Sequence, residues 1–306
     1  MRSPELVTIG VPTYNSAATI QATIKAVLAQ DYPNVEILVS DNGSTDGTVA
    51  LCRSVAGDDG RVRIIAHENN RGWQFNFRYL LAEAAGRYFM WVGADDRPAP
   101  SFVSAATAVL ESGPELVSCV SRVRWLHDGE PGELAAGTAS LTASPRRNIA
   151  TYLRHARDNS RFYGLHRTSV LREAFPTRDF YGLDLAIMVG TLRRGGHGEV
   201  PHVLLERERS DPDGYVSHIE RDAAGFVDRL FPFRGLTRAV VVELRAPLSA
   251  ATIWWLVVRN VYEHLRYWST APGPYSSVAR PVFRVLDRRR GEVSRADDAN
   301  SPREQP

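Results

Sequence analysis

The 306-residue chain has a single lysine, Lys25, among 37 basic side chains. No G-K-S or G-K-T phosphate loop can be built from it, and no pocket lysine is available for Schiff-base chemistry. Cysteine is almost as scarce. Cys52 and Cys119 lie far apart, in apolar segments and outside any C-x-x-C pattern, which argues against a disulfide framework or a zinc site and fits a reducing cytoplasm. Long hydrophobic runs are missing too: AATIWWLVV, residues 250–258, falls well short of the roughly 20 residues of a membrane-spanning helix. The N-terminal MRSPELVTIGVP lacks the basic and apolar regions of a signal peptide, so none is expected. A net charge of +2 gives no global attraction to nucleic acid or an anionic membrane. The arginines are spread along the chain, and no internal repeat is present.

What is present is ordinary globular composition, 43% hydrophobic and 24% charged, enough for one large domain with an appendage. In the first half, short β-branched runs alternate with helical patterns, the signature of a mostly parallel sheet covered on both faces. Strands are predicted at 6–12, 35–40, 61–67 and in RYFMWVG, whose continuous apolar character suits a central strand. Between them, Ile20, Ile24, Val27 and Leu28 mark a helix with Asn15 and Ser16 as caps and Pro33 as its stop. Val49, Leu51, Cys52 and Val55 mark a second helix, and Phe77, Leu80, Leu81 and Ala84 a third.

Beyond Pro98 a helix is predicted through APSFVSAATAVLES, a strand over 114–126, a loop over 128–145, a helix over 147–157 and a short strand over 162–167. A helix over 183–196 and a strand over 199–209 follow. The pattern turns helical after about residue 220, and 291–306 reads as a disordered tail. The expected organisation is one α/β domain over 1–215, in two halves of about 1–100 and about 101–215, with a helical extension over 216–290. In that extension the stripe of Ala251, Trp255, Val258, Tyr262 and Leu265 reads as packing on the first domain, with a membrane-surface segment over 246–268 as the alternative.

In open parallel sheets, ligands bind beyond the carboxyl ends of the strands, where helix N-termini also point. Three polar clusters fall at such ends: PTYNS (12–16), SDNGSTD (40–46) and GADD (93–96). A glycine-rich dinucleotide fingerprint is absent from the first turn, so NAD or FAD chemistry fits poorly. The clusters suit a pocket with a tyrosine and a carboxylate for a base and ribose. The acidic pair suits Mg²⁺ or Mn²⁺ completed by diphosphate oxygens.

VTIGVPTYNSAATI, VEILVSDNGSTDGT and NNRGWQFNFRYLLAEAAGRYFMWVGADD, in that order, resemble family 2 glycosyltransferases. The resemblance runs over about residues 6–210 and implies a GT-A fold: a Rossmann-like, mostly parallel α/β sheet flanked by helices. It implies an inverting transferase that moves a sugar from a nucleoside diphosphate, UDP by default, to an acceptor hydroxyl. Pro12, Thr13, Tyr14, Asn15, Asp41, Asn76 and Ala94 would then line the nucleotide site, Asp41 accepting a hydrogen bond from the base, with Arg71 and Arg78 as candidates for the phosphates. Asp95 would hold the cation, Asp96 would be a second ligand or its support, and Asp184 would be the catalytic base. Gly93 departs from the commoner D-x-D-D pattern, and Asn76-Phe77-Arg78 departs from Ala-Arg-Asn. Acceptors under this reading are saccharides, lipid-linked intermediates or small molecules, and the setting is cytoplasmic.

Two rival functions are a sugar nucleotidyltransferase and a non-catalytic nucleotide-sugar binding module. The first resembles a glycine-rich loop with Arg and Lys after strand one, where this chain has PTYNSAATIQ. His202 alternates within a strand and His218 sits in a loop-like stretch, so both read as surface or structural residues.

Overall fold

A computed structural model describes residues 3–155, 159–209, 227, 231–270 and 281. The chain divides into two compact units, one of residues 1–179, 183–210 and 239–249, the other of 180–182, 211–238 and 250–306. The first opens with the predicted alternation: β1 (Val7–Thr13), α1 (Ile20–Leu28), β2 (Val35–Asp41), α2 (Thr48–Ala56), β3 (Val62–Ala66), α3 (Trp73–Glu83) and β4 (Tyr88–Trp91). It continues through β5 (Arg97–Pro98), α4 (Phe102–Ser112), β6 (Leu116–His127), β7 (Glu130–Leu134) and α5 (Pro145–His155). A 3-10 turn (Ser160–Tyr163), β8 (Leu165–Arg167), α6 (Thr168–Ala174), α7 (Leu183–Leu192) and β9 (Gly196–Glu208) complete the run to residue 208.

Among the described residues these strands form one sheet in the order β3-β2-β1-β4-β8-β6-β9-β5, with β7 paired to β6. β3, β2, β1 and β4 are mutually parallel. Beyond them the sheet is mixed, because β8 runs antiparallel to both β4 and β6 while β9 is parallel to β6. Pro98 is tolerated in β5 because that strand is an edge, where a missing N–H breaks no ladder. All seven residues of β1 and all four of β4 are buried, as continuous apolar strings covered on both faces should be. Val7, Ile9 and Val11 meet Ile20, Ile24 and Val27 of α1 in the main core.

Several expectations are corrected. Asn15 and Ser16 do not cap α1, which begins at Ile20 after Thr19 with no side-chain cap bond; Asn15 is left-handed, φ 49°, and serves the neighbouring loop. The helix ends at Leu28, before Pro33. The stretch predicted as loop contains β7, because Asp128 and Gly129, at φ 52° and 83°, make the two-residue turn whose positive φ angles match strand twist. Phe162 and Tyr163 belong to the 3-10 turn, so only the end of the predicted 162–167 strand is extended.

The second unit contains α8 (Arg234–Arg238) and α9 (Ala250–Thr270). The buried face of α9 is Thr252, Leu256, Glu263 and Tyr267, not the predicted stripe: Ala251 and Val258 are exposed. Polar bonding explains the rotation, since Arg259 pairs with Glu263 at 2.7 Å and Asn260 donates to Thr237 Oγ1 at 2.9 Å. Ile253, Trp254, Val257, Val258 and Val261 are left facing out. No helix among the described residues is long and apolar enough to cross a membrane. The predicted tail and His218 lie outside the described residues.

Candidate active site

β1 sits between β2 and β4 with all three strands parallel, so their carboxyl ends share one edge. Thr13 is in register with Asp41, and the Val92 N–H donates to the Gly10 carbonyl. The first two polar clusters are stitched together there. The Asn15 N–H donates to Ser44 Oγ (2.8 Å), Ser16 N–H to Thr48 Oγ1 (2.8 Å) and Ala17 N–H to Asp46 Oδ2 (3.0 Å), while Asn15 Oδ1 accepts from Thr45 N–H (2.9 Å). Pro12 and Thr13 are buried, and Tyr14 projects at 46% exposure. Asp41 is buried and accepts from the Ser44 N–H (2.9 Å) and hydroxyl (2.5 Å). A carboxylate has about four acceptor positions, so these bonds orient Asp41 without exhausting it.

The segment before α3 closes on the same edge. Asn42 donates to Asn70 Oδ1 and the Gly72 carbonyl, both at 2.9 Å, and accepts from the Arg71 N–H at 3.1 Å. The Arg71 guanidinium lies 3.7 Å over the Phe75 ring. Burial, and then the Arg71 charge, hold His67 below its ordinary pKa. Asn76 is buried and donates to the carbonyls of Ser40 (2.9 Å) and Thr13 (3.4 Å), tying β2 to β1. Arg78 is occupied elsewhere: it pairs with Asp179 at 2.8 Å, donates to the Pro176 carbonyl at 2.9 Å and lies over Phe175. Of the two candidate phosphate arginines, only Arg71 is joined to this strand edge.

The acidic turn explains Gly93. A Cβ there would meet Asp96 Oδ2 at 2.8 Å and Asp95 Oδ1 at 3.0 Å, so a side chain at this position would require the two carboxylates to shift. Asp96 is 1% exposed; its Oδ2 accepts from the Gly93 N–H at 3.0 Å, and Arg207 Nε reaches both oxygens at 3.2 and 3.3 Å. Arg207 in turn lies 3.6 Å over the Tyr163 ring and 5.2 Å from that of Trp125. Both acids are raised above the ordinary carboxylate range, chiefly by burial. Asp95 reaches about 6, with the Asp96 charge as the next cause, and Arg207 opposes both shifts.

Ala94 and Asp95 are partly exposed. Among the described residues no three His, Cys, Asp or Glu side chains gather into a group that could hold a metal alone. The residues present nonetheless fit a hard cation of the Mg²⁺ or Mn²⁺ type, which takes one or two carboxylates and completes its shell with diphosphate and water oxygens. Asp95 is the donor whose oxygens are not committed to Arg207, and burial and then the Asp96 charge raise its pKa.

Asp184 lies in the first turn of α7. Its Oδ2 accepts from Asn159 Nδ2 at 2.7 Å. Tyr163 links it to the acidic turn: burial pushes the phenol up to about 12, Arg207 opposes that shift, and Asp96, Asp184 and Asp95 each add to it. His202 is exposed on β9.

Arg207, Tyr163 and Asn159 were not singled out from the sequence. Arg207 hides in the charged alternation LLERER, but strand period two places it on the face of Leu205, which is 1% exposed. That pattern could have identified it. Nothing comparable marks Asn159.

The profile described as Glycosyl transferase family 2 matches residues 8–175, more than half of the chain. An uncharacterized glycosyltransferase of Haemophilus influenzae is 30% identical over 132 residues, 43% of this chain and 41% of its own length. The UDP-Glc:alpha-D-GlcNAc-diphosphoundecaprenol beta-1,3-glucosyltransferase WfaP of Escherichia coli is 35% identical over 92 residues, 30% of this chain and 36% of its own. The chain thus spans well under half the length of these curated relatives. The solved structure of S. aureus TarS 1-349 in complex with UDP-GlcNAc shares the fold at a TM-score of 0.63 and 18% identity, covering 85% of this chain and 73% of that one.

Proposed function

This chain belongs to glycosyl transferase family 2, with the GT-A fold, and from that premise we propose that it transfers a sugar from a nucleoside diphosphate to an acceptor hydroxyl with inversion. The observation that carries the proposal is the shared edge at the carboxyl ends of β1, β2 and β4, which brings the Pro12–Ser16, Asp41 and Gly93–Asp96 segments together. Direct displacement requires a cation-binding acid and a proton acceptor, and Asp95 and Asp184 are the carboxylates offered for these roles.

Pro12, Thr13, Tyr14, Asn15 and Asp41 hold the nucleoside, uridine by default, at the ends of β1 and β2. Asn76 secures those ends, and Arg71 supplies positive charge near the phosphates. Asp95 is the protein ligand for Mn²⁺ or Mg²⁺, with Asp96 held behind it by Arg207. A bound divalent cation supplies Lewis-acid stabilisation of the departing diphosphate. Asp184 takes the proton of the acceptor hydroxyl as that oxygen bonds to the anomeric carbon, on the face opposite the breaking bond to the diphosphate oxygen.

For the acceptor we favour a saccharide presented on a lipid diphosphate. WfaP is named for such an acceptor, and α9 presents Ile253, Trp254, Val257, Val258 and Val261 outward as an apolar face suited to a lipid surface. On this reading the enzyme works at the cytoplasmic side of a membrane.

A thermal-shift screen of nucleotide sugars with Mn²⁺, followed by nucleotide-release assays on the hits, tests the proposal. Asp184→Asn should retain donor binding and lose roughly 10²- to 10⁴-fold in turnover, the usual contribution of a general base. Wild-type turnover in that variant would reject Asp184 as the base. Donor binding with no turnover in the wild type, across donors and acceptors, would favour a non-catalytic binding module.

A further inference from the structure

Asn159 is a buried, non-glycine residue in the left-handed region, φ 45° and ψ 36°. Asparagine tolerates this conformation better than most residues, but it is still an uncommon one. Its side chain is held at both ends: Oδ1 accepts from the Tyr152 hydroxyl at 2.6 Å, and Nδ2 donates to Asp184 Oδ2 at 2.7 Å. The amide orientation follows from chemistry, since an ionised carboxylate only accepts and the nitrogen must therefore face Asp184. Tyr152 is itself 4% exposed on α5. A buried phenol, a backbone fixed in an unusual basin and a short bond to the carboxylate together restrict the rotation of Asp184.

We propose that Asn159, anchored by Tyr152, is a positioning residue that holds the Asp184 carboxylate at the angle needed to receive the acceptor proton. The inference rests on the reading of Asp184 as the base. The Asn159 amide touches neither donor nor acceptor in this role and acts only through Asp184. Its bond also favours the ionised carboxylate, while Asp95 and Asp96 add negative charge and Arg207 positive charge on the Tyr163 side.

The test uses the full chain and three variants, with the best donor from the nucleotide-sugar screen. Asn159→Gly removes the amide but accepts the left-handed backbone without strain, so folding is preserved where Asn159→Ala would be strained. Tyr152→Phe keeps Asn159 and removes the hydroxyl that anchors it. We expect Asn159→Gly to lower kcat by between about ten- and a hundred-fold, as small misplacements of a reacting group do, with donor affinity and KM unchanged. The acid limb of its kcat profile should move to higher pH. Tyr152→Phe should show a smaller change in the same direction.

Carbon-13 NMR titration of the Asp184 carboxyl, assigned by its loss in Asp184→Asn, gives a readout independent of turnover. It should move to higher pH in Asn159→Gly. An unchanged Asp184 titration and kcat in a folded Asn159→Gly would overturn the inference while Asp184→Asn remains inactive. Full activity of Asp184→Asn would instead remove the base assignment on which the inference stands.

Discussion

Replacing Asp95 with asparagine should stabilise the protein at neutral pH and disable it. The Asp95 carboxyl titrates near 6, against 3.8 for an ordinary aspartate, because burial and then Asp96 oppose its charge. The folded form therefore retains a proton that the unfolded chain has already released. Its contribution is neutral below pH 4 and increasingly unfavourable as pH rises through 6. The full cost of charging it is about 3 kcal/mol, an upper bound because the residue is partly exposed and screened.

The wild-type profile alone does not isolate this effect. Buried His166 is held down at about 4 and buried His197 well below 6.5, both chiefly by burial; their contributions have the opposite sign and are lost as pH falls below 6.5. The difference between Asp95→Asn and wild type cancels them. Urea unfolding should find the two proteins equally stable at pH 4. At pH 7.5 the variant should be more stable by about 1–3 kcal/mol, each kcal/mol raising Tm by roughly 2–4 °C. Its cation-dependent nucleotide binding should be lost, the familiar opposition between stability and function at strained sites. A variant no more stable than wild type at pH 7.5 would refute the reasoning.

Arg207→Met should leave Asp96 buried with only the Gly93 N–H as partner and destabilise the fold by about 3–5 kcal/mol, as removal of one member of a buried pair does. The Asp96→Asn/Arg207→Met double variant should recover most of that, and a loss under about 1 kcal/mol in the single variant would deny the pair its structural role. Gly93→Asp restores the commoner family acid but forces a Cβ to within 2.8 Å of Asp96 Oδ2. It should cost about 1–3 kcal/mol at pH 7 through overpacking, and less at pH 5, where the crowded acids take up protons. Stability equal to wild type would show that the turn relaxes.

The parallel half of the fold was legible because β1, β2 and β4 are apolar strings bounded by turn formers, a pattern that depends on few long-range contacts. The edge on which PTYNS, SDNGSTD and GADD meet followed from that topology. Features set by tertiary competition were harder to read. Asn15 has the chemistry of a helix cap, but the 40–46 loop offered it a better set of partners. Hydrophobic periodicity alone points to the wrong face of α9, because Glu263 is buried with Arg259 and Arg266 near it. β7 was missed although Asp128-Gly129 is a strong hairpin signal, since the residues after it are glycine- and proline-bearing. Arg207 was hidden by the assumption that alternating charges face water, and Asn159 by the fact that its role depends on partners at 152 and 184.

The charge count at the acidic turn leads to a final expectation. Asp95 and Asp96 bring two negative charges, Arg207 returns one and Glu208 acts more weakly on Asp95, so a cation meets a small net negative charge and one carboxylate not committed to Arg207. A third acid at position 93 would have raised the charge, but both carboxylates already fill that space. With so few protein donors, a hard cation should bind weakly to the chain alone and gain most of its ligands from the diphosphate. Calorimetric titration of UDP with and without Mn²⁺ should then reveal positive coupling, about 5- to 150-fold in affinity, and the reverse titration must return the same factor. Asp95→Asn should abolish the coupling while leaving metal-free UDP affinity nearly unchanged, because the nucleoside is held at the β1 and β2 ends. Tight Mn²⁺ binding without nucleotide would mean that the protein supplies more donors than Asp95, whereas UDP affinity indifferent to the cation would mean that Arg207 alone meets the charge requirement and that the acidic pair is there to hold the arginine.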